Sequence, residues 1–279
     1  MEYRTILTAA IQGKDDTSRL GPAIAFAEAH SAHLEALCYG IDHAYPAYHY
    51  GAASLELMQR SQDQAREEAM ALRKAATDVI EESGVEGTAR AVIAGLSGIA
   101  DVLADRGRLA DLAVLSQAPE DERPRLHEMV IEGALFAARL PVLLVPRGGT
   151  LDPRPARIAV GWDDGPEALA AIRGAMPLLK RADQVDIVIV DPPRHAPERP
   201  DPGHDISVML SRHGVKSEVV MLPSTLPRIS DMLLRHATDS SAGLLVMGAY
   251  GHSRFQETVF GGTTRRMLAD ADVPLLMAH

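Results

Sequence analysis

The residues of this 279-residue chain most able to hold an anion lie in one segment, GAYGHSRFQETVFGGTTRRML, from Gly248 to Leu268. Gly248 and Gly251 form G-x-x-G; nine residues later come Gly261 and Gly262, followed by Thr263 and Thr264. Glycines allow backbone N–H groups to approach an anion closely and tolerate positive φ. A helix opening after Gly262 would add unpaired N–H groups and the positive end of its dipole. Thr263 or Thr264 would either donate a hydroxyl to a phosphate or cap that helix. Arg254, Arg265 and Arg266 are the available counter-charges. The competing reading is a tight strand-to-helix turn that binds nothing.

Other polar clusters read more plainly. Asp163-Asp164-Gly165 predicts a turn and a helix N-cap, with Asp163 open to a ligand role and Asp164 the capping residue. Trp162 reads as a packed residue. His43, Tyr45, Tyr48, His49 and Tyr50 fall in a Pro-containing connection without a helical ligand spacing, so they read as loop rather than metal site. His195, His204 and Asp205 stand among prolines and read as a solvated loop. Cys38 lies inside the apolar run LEALCYG and reads as a core residue. No G-x-S-x-G elbow, Walker lysine, His-x-Gly-His or Ser-Gly-Gly-x-x-Ser segment occurs, which sets aside several enzyme classes, adenylyl transfer among them.

The elements that must position these residues come in two copies. Each half opens with a short apolar run after an Arg: RTILTAA from Arg4 and RIAVGW from Arg157. Each closes on a Pro-led run: PVLLVP from Pro141 and PLLMAH from Pro274. Between them lie the matching runs ADLAVLS and AGLLVMG. The period is too long for a solenoid and indicates tandem copies of one domain, at 1–147 and 156–279, joined by the Gly/Pro-rich linker 148–155. Apolar strands alternate with helical patterns. One helix places Leu169, Ile172, Met176 and Leu179 on one face behind Pro166; another, near Pro227 to Ala237, groups Ile229, Met232 and Leu233. Residues Ala52 to Ser83 read as one long helix, where the second half has only a short one around Ile206 to His213. The fold class expected is α/β, with two doubly wound, mainly parallel, five-stranded sheets covered by helices on both faces. Such sheets bind ligands at the carboxyl ends of their strands, where the strand order reverses.

Composition narrows the classes. The net charge of −10 comes without a Lys/Arg-rich run, and only 4% of residues are aromatic, so nucleic acid is not an expected partner. No apolar stretch approaches the length of a membrane span, and the first residues lack the pattern of a secretory signal. With a single cysteine, the expected compartment is the reducing cytoplasm.

The glycine pattern resembles that of the universal stress protein family, whose nucleotide-binding members carry G-x-x-G, nine residues, then Gly followed by Ser or Thr. Gly248, Gly251 and Gly261 match; Gly262 departs, moving the hydroxyl to Thr263. The run IAVGWDDGPEA is similar to the family's first strand, with Asp163 where an acidic residue meets the adenosine. The resemblance spans the whole chain as a tandem member, with an adenine nucleotide alpha-hydrolase-like fold. It implies an ATP site, with Mg²⁺, in the second half only: Asp163 at the ribose, Val190 and Met247 around the base, and Gly248, Gly251, Gly261, Gly262 and Thr263 at the phosphates. In the first half Ile11 replaces Asp163, Ser116 replaces Gly248 and Pro119 replaces Gly251. Glu120, Asp121 and Glu122 would repel a triphosphate, so no nucleotide is expected there by this mode. The family also implies pairing of the last strands, here PVLLVP with PLLMAH within one chain; whether two chains then form a homodimer is not readable from the sequence. The function implied is a stress-response regulatory module rather than an enzyme, with slow ATP hydrolysis as its limit. A nucleotide-free interaction module is the alternative.

Overall fold

The computed structural model describes residues 2–11, 18–43, 52–117, 124–191, 202–249 and 262–279. The chain packs as two compact units, Tyr3–Leu140 and Pro141–His279, the second joined by Glu2. The sequence repeat counts PVLLVP with the first half, whereas packing groups it with the second.

In the first unit the elements run β1 (Thr5–Ile11), α1 (Gly21–His30), β2 (His33–Asp42), α2 (Ala52–Ser83), β3 (Gly87–Gly95), α3 (Ile99–Gly107), β4 (Leu112–Ser116) and α4 (Pro124–Glu132). Its strands are parallel in the order β3-β2-β1-β4. Ile6, Leu7, Leu34, Leu37, Leu112 and Val114 are buried, as expected of strands covered on both faces. Each such side chain contributes roughly 2 kcal/mol on leaving water. The long helix α2 forms as one element, as its sequence predicts. It lies so close to β2 that a Cβ at Gly40 would strike the Ala65 carbonyl, so glycine is required there. A π-helical stretch, Gly133–Ala137, continues α4. Gly133 there fits against Leu103 of α3, where an added Cβ would come within 2.6 Å of Leu103 Cδ1.

The second unit opens with β5 (Val142–Val145) and continues β6 (Arg157–Gly161), α5 (Pro166–Leu179), β7 (Gln184–Val190), α6 (His204–Arg212), β8 (Ser217–Leu222), α7 (Ile229–Asp239), β9 (Leu244–Gly248), α8 (Gly262–Asp270) and β10 (Leu275–Ala278). Its order is β5-β10-β9-β6-β7-β8. All neighbours are parallel except β5, which runs antiparallel to β10 with Leu275 opposite Leu144 and Met277 opposite Val142. These are the two Pro-led runs, and they pair as strands. The fold class read from sequence is therefore present.

Details differ from the sequence reading where side-chain type was the only guide. On α7, Met232 and Leu233 are buried, but Ile229 is 51% exposed because it starts the helix at the rim. On α5 the buried face includes Ala168, Ala171, Ile172, Ala175 and Met176, while Leu169 is half-buried. His204 and Asp205 open helix α6 instead of lying in a loop. Cys38 is fully buried in β2. Tyr45, Tyr48, His49, Tyr50 and His195 lie outside the described residues.

Candidate functional site at the carboxyl ends of β6 and β9

Strand β6 has β7 on one side and β9 on the other, so the strand order of the second unit reverses between β6 and β9. A crevice at the carboxyl ends of such a pair is where open α/β sheets take ligands. Gly161 and Gly248 end the two strands. Beyond Gly161 the chain turns tightly into α5. Asp163 is exposed, and its Oδ1 accepts the Gly165 N–H at 3.0 Å, an Asx turn. Asp164 takes the left-handed conformation, φ 62°, which aspartate tolerates better than most residues. Gly165 stands at the N-cap without a side-chain cap bond, and Pro166 occupies the first turn. The capping role expected of Asp164 is therefore not realised: its left-handed backbone belongs to the turn, and the side chain that closes the turn is that of Asp163.

Gly248 has a steric reason to be glycine. An added Cβ would lie 2.6 Å from the Ala168 backbone nitrogen and 2.7 Å from the Glu167 carbonyl carbon. Strand β9 thus meets the first turn of α5 backbone to backbone. Met247 points the other way. It is 6% exposed, on the side where a Cβ at Gly161 would meet Leu233 of α7 and Met247 itself. Val190 ends β7 opposite Leu222 of β8 and is half-buried. Gly262 and Thr263 are the first two residues of α8, and Thr264 is buried. Gly251, Gly261 and Arg254 lie outside the described residues. Trp162 is packed, with its indole N–H donating to the Pro202 carbonyl at 3.2 Å.

Across the whole length of the chain, the fold is shared with a universal stress protein from Archaeoglobus fulgidus (TM-score 0.63, 15% identity, 98% of this chain and 97% of that one). A Pseudomonas aeruginosa protein ascribed to the same family gives a TM-score of 0.58 at 16% identity, over 99% of this chain and 93% of that one. At these identities the likeness speaks for the fold. The family model for universal stress proteins matches residues 156–279, the stretch that holds the site. Residues 156–279 form a universal stress protein domain. A universal stress protein of Synechocystis sp. is 35% identical over 68 residues, which is 24% of this chain and 23% of that protein's length.

The amino ends of the strands of this universal stress protein domain carry a second polar cluster, which the sequence reading did not single out. Asp186 of β7 is buried at 1% exposure. Arg157 donates to it through Nε (3.1 Å) and Nη2 (3.2 Å), and His236 Nε2 of α7 lies 3.1 Å from its Oδ2. Gln184 Nε2 approaches Oδ1 at 3.4 Å. Burial pushes the Asp186 carboxyl up, but the bonds from Arg157, His236 and Gln184 outweigh it and hold the group below the ordinary carboxylate range. The hydrogen bonds to Asp186 and its charge raise the Arg157 guanidinium. The cluster ties α7 to β6 and β7. An aspartate inside the otherwise apolar run VDIVIV was the available signal for it.

Strand pairing also tests the proposed equivalence of the two halves. Ile6 faces Leu112 as Ile158 faces Leu244. Counting on from there, Ile11 holds the place of Asp163, and Ser116 holds the place of Gly248. Ile11 is buried. Pro119 and the acidic run Glu120 to Glu122 lie outside the described residues.

Proposed function

We propose that the universal stress protein domain at 156–279 binds an adenine nucleotide, ATP with Mg²⁺, and that the chain acts in the cytoplasm as a stress-response regulatory module. The observation that carries this reading is the pair of strand tips at the reversal of the sheet. Exposed Asp163 stands at the tip of β6, and β9 ends in a glycine beside the start of α5. The residue types fit a nucleotide. An exposed carboxylate suits ribose hydroxyls, and the start of α8 at Gly262 and Thr263 offers unpaired backbone N–H groups to phosphates. On this reading Asp163 holds the ribose and Val190 and Met247 border the base. Backbone N–H groups at Gly248, Gly251, Gly261, Gly262 and Thr263 hold the phosphates. The Mg²⁺ ion neutralises phosphate charge that the acidic chain would otherwise repel. Nucleotide shifts the protein between conformations or partners only by its differential affinity for them. A homodimer of the chain is part of the same proposal.

The test is calorimetric titration of the full chain with ATP and Mg²⁺, beside the variants Asp163→Ala and Gly261→Glu. One saturable site per chain, lost in both variants, supports the reading. A second reading is favoured by one specific observation: the α5 backbone already requires glycine at 248, so that residue needs no ligand to explain it. On that reading the domain is a nucleotide-free interaction module. Absence of saturable binding by a folded chain would favour it.

A further inference from the structure

We propose that two copies of the chain pair antiparallel through the outer edge of β3, about a two-fold axis at Val92. The inference rests on the homodimer reading above and names its surface; it is independent of nucleotide. Strand β3 ends the strand order of the first unit, as β8 ends that of the second. An edge strand offers unpaired N–H and C=O groups to any other extended chain, so proteins shorten, charge or interrupt such edges. The two edges differ in this respect. Strand β8 has six residues, carries Glu218 and lies between Lys216 and Pro223. Strand β3 has nine, Gly87–Gly95, in unbroken register with β2, and contains neither proline nor lysine.

The ladder fixes which groups of β3 are free. The Leu34 N–H donates to the Glu86 carbonyl at 2.9 Å. In a parallel pair, alternate residues direct both backbone groups to the same neighbour. Thr88, Arg90, Val92 and Ala94 therefore bond to β2, and Ala89, Ala91 and Ile93 turn their N–H and C=O groups outward. Among the described residues, no strand or loop bonds to that outer edge.

The side chains suit a second copy of the same strand. Antiparallel pairing about Val92 sets Ala91 of each copy opposite Ile93 of the other, so the two outward rows meet in bonding register. Opposite residues share a face of the sheet. Ile93 lies beside Gly40 of β2, on the face that α2 covers, and is 43% exposed. A small alanine of the other copy leaves it room to pack. The strand carries one charge, Arg90, which is tied to Glu35 at 2.7 Å. The two Arg90 side chains would stand roughly 14 Å apart along the seam. That exceeds the screening length of about 8 Å in physiological salt, so the pairing opposes no like charges.

The experiment is sedimentation equilibrium of the full chain, with amide hydrogen exchange read by NMR at low and high protein concentration. A reversible dimer is expected. The Ala89, Ala91 and Ile93 amides should exchange about tenfold more slowly, or slower still, at the higher concentration, while Arg90 and Val92 are protected at both. Ile93→Lys should weaken dimerisation about tenfold or more by charging the edge. If that variant does not fold, Ala91→Pro is the second, since it removes an outward N–H and no bond to β2. Met221→Lys, the same change on β8, should leave the dimer intact. The surface is overturned, and the homodimer kept, if the dimer survives the β3 variants, if Met221→Lys weakens it as much, or if exchange at Ala91 and Ile93 ignores concentration. A parent chain that stays monomeric overturns both and leaves the edge to an extended segment of another protein.

Discussion

Strand β4 ends in Ser116 and strand β9 in Gly248, at equivalent places in two sheets of the same order. The serine is tolerated in the first unit. In the second, α5 starts so close to β9 that even a methyl group would collide with its backbone. The tip of β1 buries Ile11, while the corresponding Asp163 is exposed. The comparison extends to the strand interiors. Glu35 faces Leu7 on β2 as Asp186 faces Ala159 on β7, so both units place a carboxylate at the same register position. Glu35 is held by Arg90 of the edge strand β3, at 2.7 Å, whereas Asp186 is held by Arg157 of the central strand and by His236 of a covering helix. At this register position a covering helix takes part in the second copy's cluster, whereas the first copy's pair joins two strands. What differs is where each copy places its polar groups, with exposed acid and close-approaching backbone at the tips of the second.

Exchanging residues between the copies tests this contrast. Gly248→Ser, which gives the second unit the first unit's residue, should cost roughly 3 kcal/mol, because α5 or β9 must shift. Thermal unfolding of the folded variant checks it, and an unchanged midpoint would break the contrast. Next in size, Asp186→Asn should cost about 2 kcal/mol by weakening charged hydrogen bonds. Glu35→Gln, at the more open position, should cost less, within about 1 kcal/mol. Denaturant unfolding ranks the two.

The pH dependence follows from the same group. The folded pKa of Asp186 lies below that of the unfolded chain, so its contribution is fully present above the unfolded value. It is lost as pH falls through the folded one. The parent should therefore lose stability on acidification more steeply than Asp186→Asn, and parallel curves would show that the cluster carries no linkage. Smallest of the exchanges, Ser116→Gly should change stability by no more than about 1 kcal/mol, as the loss of one side chain at a strand end. Tyr39→Phe should be close to neutral. Burial pushes that phenol's pKa up, and among the described residues its hydroxyl has no partner, so removing it forfeits no hydrogen bond.

Much of this was legible in the sequence because strands buried on both faces write continuous apolar runs. The repeat, the long helix Ala52–Ser83 and the burial of Trp162 and Cys38 all follow from such runs and their spacing, while the pairing of PVLLVP with PLLMAH came from the family resemblance. The equivalence of Ile11 with Asp163 was also readable, as register preserves it. Contacts between residues far apart in sequence were not. Arg19 and His127, 108 positions apart, meet only because β1 and β4 are neighbours. Asp186 meets His236 because α7 crosses the sheet above β7. The exposure of Ile229 was missed because helical spacing gives a face but not where the covering sheet ends. The steric need for Gly248 was invisible for a similar reason: a glycine motif looks the same whether it admits a phosphate or a helix backbone.

The most direct test of the central claim is titration of the full chain with ATP and Mg²⁺, with Asp163→Ala beside it. The account predicts one site per chain, lost in the variant. Two sites per chain would contradict the division of roles between the units. No saturable binding by the folded parent would contradict the nucleotide site itself.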